Sequence, residues 1–152
     1  MNEQANLAAV RRCHDRWNAG DIDGVLACFD ENTRNHGRRV GRTGVGMVVR
    51  DILDTFPDLR IQPDHVVAVG DDVIARCTFS GTHKGIGRLP VNGGLLVGVQ
   101  PTGKHFEVQH IHWYTFASGL IVEHRANRDD IGMMVQLGLL PAPLPFQPPP
   151  SN

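Results

Sequence analysis

The periodicity of apolar residues changes once along this chain, at Pro57, and that single change limits the folds open to it. Before Pro57 the apolar residues recur at helical steps. Leu7, Val10, His14 and Trp17 form one stripe that stops near Asn18-Ala19-Gly20. Asp21 reads as the N-cap of a second helix with Ile22, Val25, Leu26 and Phe29 on one face. Thr43 reads as the cap of a third, whose stripe is Val45, Val48, Val49, Ile52 and Phe56, and Pro57 ends it. Between the second and third, residues 33–41 are polar and broken by glycine, which suits a short strand or loop.

After Pro57 the pattern is that of strands. Residues 59–62, 65–69 and 73–82 read as strands, with Gly70-Asp71-Asp72 turning the second into the third. Residues 84–104 contain six glycines and two prolines and read as a long loop of the kind that often forms a lid or pocket wall. Two runs rich in β-branched and aromatic residues then flank Ala117-Ser118-Gly119 and predict a hairpin, followed by a short helix over 131–137. Beyond Leu140 the chain is proline-rich and suits neither a helix nor a central strand. Helices gathered at one end and antiparallel strands at the other predict an α+β fold: three N-terminal helices laid on a highly curved sheet, with a conical hollow between them. One domain over 1–140 and a tail over 141–152 follow.

The hairpin concentrates the chemistry. It holds four of the eight histidines, His105, His110, His112 and His124, together with Trp113 and Tyr114, and Asp129-Asp130 follow it. Strand alternation puts His110, His112 and Tyr114 on one face. Glu123, Arg125, Asn127 and Asp129 share a face if the second strand stays regular. Imidazoles titrate near neutrality, so His110 and His112 suit proton transfer or polarisation of a carbonyl, and equally suit hydrogen-bonded sheet positions. As metal ligands, His110-x-His112 with His124 or Asp129 has the right atoms but no diagnostic spacing. Glu123 and His124 read better as hairpin-stabilising surface or interface residues than as catalysts. Asn35 and His36 suit either a cavity mouth or turn chemistry before Gly37, and Trp17 either a pocket wall or plain packing. Arg42 reads as an anion anchor or a surface ion-pair partner, and His83 is similarly balanced.

A net charge of −1 gives no electrostatic reason to expect nucleic acid or an anionic membrane as partner. No apolar run is long enough to span a bilayer and the N-terminus lacks the order of a secretion signal, so a cytoplasmic location is expected. Three widely spaced cysteines, Cys13, Cys28 and Cys77, fit neither a disulfide framework nor a zinc site.

Several pieces, in order, resemble the SnoaL-like polyketide cyclases of the nuclear-transport-factor-2-like superfamily. They are Asn35-His36-Gly37, Gly41-Arg42-x-Gly44, Phe56-Pro57-Asp58-Leu59, Gly81-Thr82-His83-x-Gly85, Pro101-Thr102-Gly103-Lys104, Gly119-Leu-Ile-Val-Glu-His, Asp129 and Gln136-Leu137-Gly138. The resemblance implies a cone-shaped fold without cofactor or metal, a hydrophobic small-molecule substrate, intramolecular aldol ring closure and a homodimer. It also implies that Asp129 is the general acid/base, with His112 or His110 beside it in the pocket. The reading of Asp129 as an N-cap stays open beside this, although Asp130 is the better candidate for the cap. Arg125 departs from the aromatic residue common after Glu-His in the family and would bring a fixed positive charge toward the pocket. Hydratase, isomerase and epoxide hydrolase activities, and a non-catalytic ligand carrier, are the alternatives the fold permits.

Overall fold

The computed structural model describes residues 2–145, so most of the proline-rich tail lies outside the described residues. Helix α1 (Glu3–Asn18) is capped by Asn2, and α2 (Ile22–Leu26) by the Asp21 carboxylate, which accepts from the Gly24 N–H at 2.9 Å. The second helix is shorter than its stripe suggests. Phe29 opens strand β1 (Phe29–Asn35) instead of closing the helix, and β2 (Arg38–Arg39) folds back on β1. Helix α3 (Gly41–Thr55) starts from Val40 without a side-chain cap, so Thr43 lies inside the first turn and does not cap.

Strands β3 (Arg60–Val69), β4 (Asp72–Thr82), β5 (His105–Ala117) and β6 (Leu120–Arg128) follow, then α4 (Asp130–Gln136). The two strands expected on either side of Pro63 are one strand, β3, whose register shifts between Pro63 and His65. The sheet order is β2-β1-β6-β5-β4-β3, antiparallel throughout except where β1 runs parallel to β6. This is the expected α+β layer pair, with α1 packed on β3 and β4 and α3 on β1.

The core lies between the helices and the concave face of the sheet. From the helices come Val10, Cys13, Val25, Val49 and Phe56; from the sheet come Val73, Ala75, Cys77, Phe106, Phe116 and Ile121. Phe56 meets Phe106 edge to face at 4.9 Å between ring centres, a geometry that adds about 1 kcal/mol to the area buried. Met133 and Leu137 of α4 are buried as well.

The segment from 83 to 104 is irregular, as its glycines predict, yet it is fastened. The buried Asp51 carboxylate accepts the N–H groups of Arg88 and Leu89, and Thr55 O accepts those of Lys84 and Gly85. A side chain at Gly85 would place its Cβ 2.0 Å from Asp54 O, so only glycine allows this approach to α3. Leu96 is buried and tacks the middle of the loop down. On the convex face of the sheet Ile111 and Trp113 are exposed. Among the described residues no helix is long and apolar enough to cross a membrane.

Candidate active site

Along β5 every second side chain from Phe106 to Phe116 is buried on the concave face. The ends of this row are apolar, Phe106, Val108 and Phe116, while the middle is His110, His112 and Tyr114. The alternation read from the sequence therefore holds on this strand.

On β6 Glu123, Arg125 and Asn127 share a face as expected, but a bulge decides which face it is. Thr115 pairs with Glu123 but the next residue, Phe116, pairs with Ile121, so Val122 is an extra residue in the ladder. A one-residue bulge reverses the facing of everything beyond it. His124 comes opposite Tyr114, Ala126 opposite His112 and Arg128 opposite His110, all on the concave side. Arg125, Asn127 and Asp129 are turned to the convex side and are exposed.

The concave side chains form a continuous cluster. His14, from α1, lies with its Nε2 3.0 Å from the Tyr114 hydroxyl. His112 Nδ1 and His124 Nε2 are 3.0 Å apart. The His124 ring stacks on those of Tyr114 and His112, at 5.0 and 5.3 Å, and His110 stacks on Phe79 at 4.4 Å. Thr33 and Asn35 of β1 alternate onto the same face, Asn35 in register with His124. At the rim Arg128 Nε donates to Asp130 Oδ2 at 3.4 Å.

Five buried polar atoms here have no hydrogen-bond partner among the described residues: His14 Nδ1, His110 Nδ1, His112 Nε2, Thr33 Oγ1 and Asn35 Oδ1. Buried polar groups are ordinarily satisfied, and leaving one unmade costs roughly 1–3 kcal/mol. Several such atoms on one face are what a site that receives a polar ligand or ordered water requires.

Burial also keeps the imidazoles neutral. It lowers His14 and His110 to about 4 and His124 to about 3, and it places His112 well below the usual value, with His124, His110, His14 and Arg128 adding to that depression. Burial raises the Tyr114 hydroxyl, so it stays protonated as a donor. At neutral pH the site is therefore a set of uncharged donors and acceptors, and each imidazole has one bare nitrogen able to accept a proton.

Of the residues singled out from sequence, His110, His112, Tyr114 and Asn35 are brought together, with Trp17 half-buried one helical turn beyond His14. The others are elsewhere. Asp129 is the N-cap of α4: its carboxylate accepts from the Gly132 N–H at 2.8 Å, so the cap is not Asp130. It borders an open groove of about 720 Å³ on the convex face, with Asp64, Arg76, Gln109 and Asn127, across the sheet from the histidines. Arg125 pairs with Glu123 at 2.9 Å. Arg42 donates through Nε and Nη2 to Phe29 O and ties α3 to β1, away from the histidine cluster. His36 stands in a turn at φ 50° and its Nε2 accepts from the Ala126 N–H, which closes the edge of β6. His83 is buried beside Phe56 and bonded to Thr102, about 26 Å along the sheet from His112, eight residues at roughly 3.3 Å each. Among the described residues no three His, Cys, Asp or Glu side chains are arranged to hold a metal ion.

His14 and His124 are the members that sequence reasoning missed. His14 was legible as part of an apolar helical stripe, an unusual place for an imidazole. His124 was not, because its facing depends on the bulge. The capping geometry of Asp129 carries a direct consequence: Asp129→Ala lowers stability by about 1 kcal/mol, whereas Asp129→Asn, an equally good cap, leaves the denaturation midpoint unchanged.

The model of the SnoaL-like polyketide cyclases matches residues 7–137. The chain belongs to that family. This SnoaL-like chain is 31% identical over 144 residues to the aklanonic acid methyl ester cyclase AcmA of Streptomyces galilaeus, across 91% of this chain and 92% of that protein. Its fold is similar to TsrD from Streptomyces laurentii, with a TM-score of 0.78, 26% identity and coverage of 92% and 99% of the two chains. A SnoaL-like polyketide cyclase from Agrobacterium tumefaciens gives a TM-score of 0.72 at 24% identity, covering 91% of this SnoaL-like chain and all of the other.

Proposed function

We propose that the protein closes a ring in a polyketide-like carbonyl substrate by a cofactor-independent, intramolecular aldol reaction on the concave face of its sheet. The observation that carries the reading is the set of neutral imidazoles with unpartnered nitrogens, His112 Nε2, His110 Nδ1 and His14 Nδ1, on one buried face. A proton next to a carbonyl is removed by one bare imidazole nitrogen. The enolate carbon then attacks a second carbonyl of the same chain, a C–C bond forms, and the resulting alkoxide takes the proton back. Ring N–H groups and the Tyr114 hydroxyl supply donors where negative charge develops on oxygen. Holding the two reacting carbons of one flexible chain together at this face supplies much of the rate by proximity.

The likeness to an aklanonic acid methyl ester cyclase supports an esterified polyketide as the substrate class. Asp129, exposed and occupied as a cap, has no part in the proposed chemistry. The test is incubation of the purified protein, treated with chelator, with a linear polyketide methyl ester such as aklanonic acid methyl ester. Chromatography should show a cyclised product of unchanged mass. Recovery of the ester unchanged, beyond its spontaneous rate of closure, would refute the reading.

A further inference from the structure

Two imidazoles joined in series are a different device from one imidazole oriented by a carboxylate. On β6 the concave positions opposite Tyr114, His112 and His110 are held by His124, Ala126 and Arg128, none of them an acid. Among the described residues the one polar partner of His112 is another histidine: Nδ1 of His112 and Nε2 of His124 lie 3.0 Å apart with the rings 15° from parallel. The Nε2 of His112, on the opposite edge of its ring, is buried and has no partner.

We infer that His112 and His124 form a proton relay, in which His112 exchanges a proton with the substrate and His124 is the positioning residue that receives and returns it through His112. This deepens the proposed ring closure and rests on it. In the resting pair His112 Nδ1–H donates to His124 Nε2, which fixes the tautomer that leaves His112 Nε2 bare. When Nε2 takes the proton from the carbon next to the carbonyl, the Nδ1 proton moves to His124 Nε2. The positive charge then rests on His124, one ring removed from the enolate. After the C–C bond forms, the alkoxide takes a proton from His112 Nε2, and His124 returns its own to His112 Nδ1. No electron leaves or enters the protein, and the resting pair is restored.

The surroundings keep that resting pair neutral. The groups that face it are His14 from α1, Asn35 from β1, His36 from the turn after it, Cys77 from β4, His110 and Tyr114 from β5, and Arg128 from β6, with no carboxylate among those described. His124 itself is among the neighbours that depress His112.

The test is His124→Gln, with His124→Asn as a second variant should the first fold poorly, in the ring-closure assay across pH. The expected result is a kcat lower by roughly tenfold to a hundredfold, less than the loss of a direct acid/base group, at near-constant KM. The acid limb of kcat/KM should also move to higher pH, because removing a depressing neighbour raises His112. A lower kcat with an unmoved limb would mean that His124 only supports the fold, and would overturn the relay. Nitrogen-15 NMR of the histidine rings in the unmodified protein should show one ring N–H protected in a hydrogen bond between two neutral rings at pH 7, and two freely exchanging rings would overturn it too. Inactivity of the unmodified protein would instead bring down the proposed function, and the relay with it.

Discussion

His112→Gln lowers kcat by roughly 10²- to 10⁴-fold, the range expected when a positioned acid/base group is lost. His112 lies at the middle of the concave row, its Nε2 buried and without a partner, its Nδ1 engaged by His124. Glutamine fills most of the imidazole volume and its amide can bond to His124, yet it has no nitrogen basic enough to take a proton. The fold should survive, because the flanking Phe106, Val108, Tyr114 and Phe116 remain in place. The measurement is steady-state turnover of the ring closure, with a denaturation curve recorded on the same sample. A kcat within about threefold of the unmodified protein would remove His112 from the chemistry.

The second large effect is on stability. The unfolded chain takes up protons on its histidines near the ordinary value of 6.5, whereas His14 and His110 in the folded protein wait until about 4, and His112 until well below 6.5. Between those limits the unfolded state binds more protons, so stability falls as pH falls. At pH 5 each of these three groups costs up to about 2 kcal/mol, or about 6 kcal/mol together. That is comparable to the whole stability of an ordinary domain, about 5–15 kcal/mol. His124, lowered to about 3 but less enclosed, adds to the same trend. Carboxylates do not obscure this window, since Asp21 and Asp58 are lowered from 3.8 and act below it. Urea denaturation between pH 7.5 and 4.5 should show stability dropping steeply below pH 6.5, with His110→Phe flattening the slope. Stability that stays level from pH 7 to 5 would mean that these imidazoles are not held neutral by the fold.

The parts of this architecture that the sequence revealed are those set by long, regular periodicity. The helical stripe through Val10 and His14, and the strict alternation from Phe106 to Phe116, each repeat often enough to decide both the element and its buried face. The helix starts were less legible, because the backbone at Gly41 begins α3 before any capping side chain and leaves Thr43 inside the turn. The decisive feature was the least visible. A single extra residue at Val122, bonded no differently in sequence from its neighbours, exchanged the two faces of β6 and sent Asp129 out and His124 in. Nothing in the local composition marks that bulge. The motif Gly81-Thr82-His83-x-Gly85, by contrast, was readable as a pattern but not as a cause; the cause is the close approach of that segment to the end of α3.

The proposed ring closure assigns the proton chemistry to the histidines of the concave face and not to the carboxylate at 129. Turnover of Asp129→Asn and His112→Gln, measured side by side in one ring-closure assay, tests it most directly. The expected result is near-full activity for Asp129→Asn, which keeps its cap on α4, beside a loss of at least about a hundredfold for His112→Gln. An inactive but well-folded Asp129→Asn protein beside an active His112→Gln protein would contradict it.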